Sequence, residues 1–278
     1  MENLLNGRIS AFGIVIGIGG IHMAAVGRIL ESLLELAPLE LKLDFDNAGL
    51  LVGDAAAPVE RVLFCLDITD EVIEEAGKKE CRLIVSHHPL FFTLPNSIRA
   101  DCRETEKIVR LIQMGISAIC LHTNLDRAKG GVNDELCRCL ELVPAGVLGE
   151  DALGRIGTLK QPMSAADFAK DVKRLLGCRG VKLYDAGRPA KRIGLVGGSG
   201  GSYLEAALSA GCDTLVTADV KHHQFLEARE LHLNLIDAGH YHTERPVLPA
   251  LMQTLSARFP ELVLFLSDTL QQDDVLFL

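Results

Sequence analysis

Two stretches of this chain follow the same course. GKKECRLIVSHH and LSAGCDTLVTADVKHH each pass through a cysteine and an apolar run into a His-His pair. Aligned, Cys81 falls on Cys212, Leu83-Ile84-Val85 on Thr214-Leu215-Val216, and His87-His88 on His222-His223. The correspondence recurs one strand later in ISAICLHTNLD and LNLIDAGHYHTE, where an apolar run ends at a histidine with an acid four residues on. Upstream, LFCLDITDEVIEEA matches GLVGGSGGSYLEAA as strand, turn and helix. Strands alternating with helices make βαβ units and a parallel sheet. The economical fold is α/β and two-lobed, built from two related βαβ-type halves. In open sheets of this kind, sites lie outside the carboxyl ends of the strands. The unusual polar residues fall there.

The same patterning places the elements. AAVGRILESLLEL predicts an amphipathic helix with Val26, Ile29, Leu30, Leu33 and Leu34 on one face. RETEKIVRLIQMG predicts another, with Ile108, Leu111 and Ile112 inward and Gly115 as its stop. In the second half, SAADFAKDVKRLLG carries Ser164 as a cap, Asp167 three residues on and Gly177 at its end. Ser202 and Glu205 are spaced as a capping box before YLEAALSAG. The small and polar stretch VPAGVLGEDALG predicts a hinge between about 140 and 165, so that residues 23–145 form a first lobe and 146–278 a second.

Residues 1–22 read differently. The run between Arg8 and Arg28 holds nineteen residues without formal charge, close to the length that spans a bilayer. It carries several glycines and His22, and only Arg8 stands against Glu2 before it, so an extension outside the fold is expected rather than an anchor. The whole chain of 278 residues has 28 Lys and Arg against 37 Asp and Glu, a net charge of −9. Nonspecific grip on nucleic acid or an anionic membrane needs clustered cations, which this balance argues against. Eight cysteines are scattered without C-x-x-C spacing, mostly inside apolar runs, as expected of buried thiols in a reduced, cytoplasmic setting.

The chemistry concentrates in SHHP (86–89), HTNLD (122–126) and GHYHTE (239–244). Nine histidines in a chain of this length predict about 0.3 adjacent pairs by composition, and there are two. Neutral imidazoles and carboxylates converging from several strands suit a divalent metal. An acid four residues after a histidine shares a face of one helical turn with it. Adjacent histidines at a strand end point apart, so a pair serves two ions more naturally than one, as in dinuclear sites that activate water. Each cluster alone has a plainer reading. His87-His88 could be strand-end structure, His122 a core histidine, Asp126 a helix cap and Glu244 a first-turn acid. His222-His223 reads better as a helix start than as ligands. GGSGGS (197–202) lacks the Lys of a P-loop and reads as a tight turn.

LDFDNAGLLVGD (43–54), LIVSHHPLFF (83–92), LHTNLD (121–126) and TADVKHH followed by IDAGHYHTE (217–244) resemble, in order, the motifs of the Ngg-interacting-factor-like family, the GTP cyclohydrolase 1 type 2 homologues. The resemblance runs from about Met23 to Ser267. It implies a two-lobed α/β protein with two divalent metals in the cleft, assembling as a toroidal homohexamer. It places the ligands on His87, His88, Asp126, His240 and Glu244, with His122 as near-shell support. Three departures stand out. The usual Trp-Asp-Asn is Phe45-Asp46-Asn47, the usual T-G-E is Thr217-Ala218-Asp219, and His242 is an additional histidine that competes as a ligand. The short span from Asp126 to Lys191 leaves no room for the middle domain that many members insert.

The expected activity is metal-dependent hydrolysis of a nucleotide or related small molecule, with Zn, Mn or Fe as the ions and GTP suggested by the family label. Lys221, Arg127 and Lys129 are the only cations close to the motifs for a triphosphate. The alternative is a non-catalytic metal-binding regulatory or scaffold protein acting as a ring-shaped oligomer.

Overall fold

The computed structural model describes residues 23–269. The extension expected over 1–22 lies outside the described residues.

The described residues begin with β1 (Ala24–Ala25), α1 (Val26–Leu36), β2 (Gly49–Val52), β3 (Pro58–Val59) and β4 (Arg61–Cys65). It continues through α2 (Asp70–Lys78), β5 (Leu83–Ser86), α3 (Glu106–Met114), β6 (Ser117–Cys120) and α4 (Thr123–Arg127). Next come α5 (Val132–Cys139), β7 (Val143–Leu148), β8 (Gly154–Met163), α6 (Ala165–Leu176), β9 (Lys182–Tyr184) and β10 (Ala190–Ser199). The rest is α7 (Leu204–Ser209), β11 (Thr214–Ala218), α8 (His222–Glu230), β12 (Asn234–Asp237), α9 (His240–Glu244), α10 (Val247–Arg258) and β13 (Val263–Leu266).

These elements build a mixed α/β protein with two main sheets. One is five-stranded in the order β13-β4-β5-β6-β2, and the other six-stranded in the order β7-β8-β10-β11-β12-β9. Each contains three successive parallel strands side by side, β4-β5-β6 in one and β10-β11-β12 in the other. Parallel strands need both faces covered, so their residues are apolar in unbroken runs. Val62 and Phe64 of β4 pack on one side with Ile29 and Leu33 of α1, while Leu63 and Cys65 pack on the other with Val72 and Ile73 of α2. In the second sheet, Ile193 and Leu195 face Phe168 and Val172 of α6, and Val196 and Leu215 face Leu204 and Ala207 of α7.

The chain's end returns to its beginning. β13 pairs in parallel with β4, and Leu251 and Leu255 of α10 cover the apolar face that α1 presents. Residues 247–266 therefore pack with the first sheet, which departs from a simple division of the chain at 145/146. The expected hinge is also strand. β7 and β8 form an antiparallel ribbon from Val143 to Met163. Its outer strand is almost wholly exposed, so it shows no apolar alternation for a sequence reading to find.

Helix ends and helix faces match the sequence expectation with two exceptions. Ser164 caps α6 by accepting from the Asp167 amide, and Gly177 and Gly115 close α6 and α3 in left-handed conformations. The capping box expected of Ser202 and Glu205 does not form, because Gly201–Tyr203 is a 3-10 turn and α7 starts at Leu204 without a side-chain cap. Ile112, expected inward, is 59% exposed, since Ile108 and Leu111 already fill the face of α3 that meets the sheet.

Candidate metal centre

The histidines and acids of the three motifs emerge at carboxyl ends of parallel strands. His87 and His88 follow β5, and His122 follows β6 and precedes α4, which carries Asp126. His240 and Glu244 open and close the short helix α9 beyond β12, with Gly239 turning the chain at φ +82°. Residues from both sheets thus meet. His87 Nε2 lies 3.6 Å from Asp126 Oδ1 and 3.6 Å from Glu244 Oε1. His88 Nε2 stands 3.1 Å from Glu244 Oε2 and 3.3 Å from His240 Nε2, and His240 Nε2 is 3.0 Å from Glu244 Oε1. Glu244 is therefore the acid that three imidazoles share.

Each imidazole is aimed by a bond on its other nitrogen. His87 Nδ1 donates to the Leu121 carbonyl at 2.8 Å, and because a carbonyl only accepts, the neutral ring leaves Nε2 as its lone-pair atom. His88 Nδ1 lies 2.9 Å from Asp67 Oδ1, His240 Nδ1 lies 2.7 Å from Asp219 Oδ2, and His122 Nδ1 lies 2.8 Å from Asp46 Oδ1. Partners of this kind fix tautomer and ring orientation at metal-binding histidines. The close approach of β10 depends on Gly198, at φ +63°, where a Cβ would collide with Glu244 Oε1 and His240.

Electrostatics make the cluster hungry for positive charge. Burial alone would depress His87, but Glu244 and Asp126 raise it above its ordinary value. Against the same burial, Asp67 and Glu244 push His88 up to about 10, and Glu244 and Asp219 push His240 up to about 9. Glu244 is held well below the carboxylate range, its burial overcome by the surrounding imidazoles. Asp126 is raised to about 6, by burial first and by the negative charge of Glu244.

Three buried atoms decide whether a metal fits. His87 Nε2, Asp126 Oδ1 and Glu244 Oε2 are shielded from solvent and make no hydrogen bond. Leaving such atoms unsatisfied costs about 1–3 kcal/mol each, a cost that bound cations would relieve. Two donor sets lie within reach of single ions: His88, His240 and Glu244 in one, and His87, His88 and His122 in the other, with donor atoms no more than 4.8 Å apart. The donors fit divalent ions of the Zn, Mn or Fe type.

Of the residues singled out from the sequence, His87, His88, Asp126, His240 and Glu244 come together, and His122 lies closer than a supporting residue need, with ring centroids 5.3 Å from His87 and 5.6 Å from His88. Asp126, 3.6 Å from His87, and His242, on α9 with its ring edge against Tyr241, belong to neither donor set. His222 and His223 are exposed at the start of α8. Arg127, a candidate phosphate holder, donates instead to the Leu41 carbonyl at 2.9 Å. Sequence reasoning missed Asp46, Asp67 and Asp219 as partners of the imidazoles. Asp67 and Asp219 stand just past the ends of β4 and β11, and that position is the signal that could have found them. Among the described residues, no helix is long and apolar enough to cross a membrane.

The family model for Duf34/NIF3 (NGG1p interacting factor 3) matches residues 24–272 of this chain. The chain is 34% identical over 245 residues to a GTP cyclohydrolase 1 type 2 homolog of Clostridium perfringens, covering 86% of this chain and 94% of the relative. It is 29% identical over 264 residues to the NGG1-interacting factor 3 of Saccharomyces cerevisiae, covering 84% of this chain and 91% of that one. A hypothetical protein of Staphylococcus aureus of known crystal structure shares the fold with a TM-score of 0.83 at 29% identity, over 91% of this chain and 99% of that chain.

Proposed function

This chain belongs to the Duf34/NIF3 (NGG1p interacting factor 3) family, and from that premise we propose that it is a metal-dependent hydrolase holding two divalent ions on His87, His88, Asp126, His240 and Glu244. The observation that carries this reading is the pair of donor sets, His88, His240 and Glu244 in one and His87, His88 and His122 in the other, with buried unbonded atoms on His87, Asp126 and Glu244 beside them. Glu244 would be the central carboxylate for holding divalent ions, since it faces His87, His240 and His88. Divalent ions supply Lewis acidity and activate water at neutral pH.

The chain's own residues do the positioning. The Leu121 carbonyl, Asp67 and Asp219 take the Nδ1 side of His87, His88 and His240, which keeps each Nε2 turned to the centre and sets its tautomer. Asp46 does the same for His122, and the Thr123 amide and hydroxyl hold Asp46 in turn. The two sheets with their helices act as two lobes, and the centre lies in the cleft between them. The substrate is a nucleotide or related small molecule, with guanosine triphosphate the first candidate because relatives carry that name. A ring-shaped homohexamer in the cytoplasm belongs to the same proposal.

Metal content per chain on protein purified without chelator tests it, with wild type beside His88→Ala and Glu244→Gln. About two ions per chain in wild type, falling in both variants, together with hydrolysis of guanosine triphosphate or another nucleotide, is the expected result. No bound zinc, manganese or iron overturns the metal reading. Full metal without turnover across a nucleotide panel overturns the hydrolase and leaves a metal-carrying regulatory protein.

A further inference from the structure

Phe45 and Phe92 stand at the edge of the centre with most of their surface in water, 63% and 54% exposed. Their ring centroids are 6.2 Å apart, and Phe92 lies 5.7 Å from His122, itself beside His87 and His88. Single exposed apolar residues need no explanation. Two that touch each other at the rim of a polar cluster are different, particularly when the backbone on either side is tied down. Asp46, next to Phe45, has its side chain wholly buried and accepts from His122 Nδ1, the Thr123 amide and the Thr123 hydroxyl. Asn47 Nδ2 donates at 2.8 Å to the carbonyl of Phe91, the neighbour of Phe92. The bonds that aim His122 thus fix the residue beside Phe45, and the Asn47 amide fixes the backbone beside Phe92, although neither ring fills the core.

We propose that Phe45 and Phe92 form a stacking wall that holds the planar heteroaromatic ring of the substrate next to the metal centre. The proposal rests on the hydrolase reading above and names the feature by which its substrate is chosen. An aromatic face stacks on any planar base and asks for no complementary charge. The rim suits such a ligand better than an anion. The exposed side chains that aim His88 and His240 are the carboxylates Asp67 and Asp219, which repel a phosphate tail that approaches them. Recognition by the ring lets that tail point away from them.

The chain has no tryptophan, so Phe45→Trp and Phe92→Trp each install a single indole reporter on the wall. Full-length protein, with and without zinc, is titrated with guanosine, guanosine triphosphate and inorganic triphosphate while indole emission is followed. Saturable quenching by guanosine and guanosine triphosphate but not by triphosphate is expected. Adding Phe92→Ala to the Phe45→Trp protein weakens that binding about tenfold. Unchanged emission with both nucleosides, or an equal response to triphosphate alone, overturns the wall. So does a Phe45→Ala, Phe92→Ala protein that binds guanosine normally but loses its oligomeric state, because the rings would then be a subunit contact. Zinc content measured on the same samples separates the two readings: zinc bound without quenching removes only the wall, and no zinc removes the hydrolase while the quenching still decides the wall.

Discussion

His87 Nε2 and Glu244 Oε1 lie 3.6 Å apart, although one residue follows a strand of the five-stranded sheet and the other follows a strand of the six-stranded sheet. Neither has a backbone neighbour in common with the other. The distance is set by whatever holds the two sheets in register, and several expected outcomes follow from that.

Glu244 meets three imidazoles, whereas Asp126 pairs with His87. Glu244→Gln is therefore expected to remove both ions, and Asp126→Asn to lower the content by about one per chain. Elemental analysis of the two purified variants checks the difference. Equal losses would show that the two carboxylates do not divide the work in this way.

Asn133 is a buried clasp between the segments that carry the centre. Its Nδ2 donates to the carbonyls of Asp126 at 3.3 Å and Leu153 at 3.0 Å, and its Oδ1 accepts from the Gly197 amide at 2.7 Å. Asn133→Leu takes this partner from the Asp126 carbonyl and the Gly197 amide, while the Leu153 carbonyl keeps Arg155 Nη1 at 3.3 Å, and is expected to cost about 2 kcal/mol. It should also loosen Asp126 against Glu244. Urea unfolding and zinc affinity are the measurements, and a variant of wild-type stability would show that water replaces the amide.

Gly198 combines a left-handed backbone with the collision a Cβ would make against Glu244 and His240. Gly198→Ala is expected to lose on the order of 1–2 kcal/mol from the conformation alone, and metal content with it. Gly177→Ala serves as the control, since its φ is also positive but no atom lies within 4 Å of the added Cβ. If both variants keep their metal, the close approach of Gly198 is not what shapes the centre.

Glu75 ties the C-terminal segment down through Lys79, the Ser267 and Thr269 hydroxyls and the Asp268 amide. Burial alone would raise its carboxyl, but these bonds bring it down to about 2 from 4.5. The unfolded chain therefore binds the proton first, and stability rises with pH across that window. The contribution is complete above about pH 4.5 and is lost as the pH falls toward 2. Acid unfolding followed by circular dichroism should show a shallower loss in Glu75→Gln than in wild type over this range.

Much of this was legible in the residues. The alternation of apolar runs with helical stretches predicts the strands β4, β5, β6, β10, β11 and β12, because a strand buried on both faces must be apolar throughout. The His-His pair at 87–88 and the acids at 126 and 244 stood out because they break such runs at their ends. β7 did not, since an exposed strand of mostly small residues carries no period. His222-His223 looked equivalent to His87-His88 by alignment, yet α8 turns the later pair to solvent. Equivalent positions in a repeat share a backbone and need not share an environment.

The sequence by itself determined the six strands β4, β5, β6, β10, β11 and β12, where each ends, and hence which polar side chains lie at those ends, because those depend on local period and burial pattern. Only the tertiary structure decided that Asp67, Asp219 and Asp46 would each claim an imidazole nitrogen, that His122 would join the cluster, and that α10 and β13 would close the first sheet. Those outcomes depend on distances between segments far apart in the chain, and long-range packing, not local preference, sets such distances.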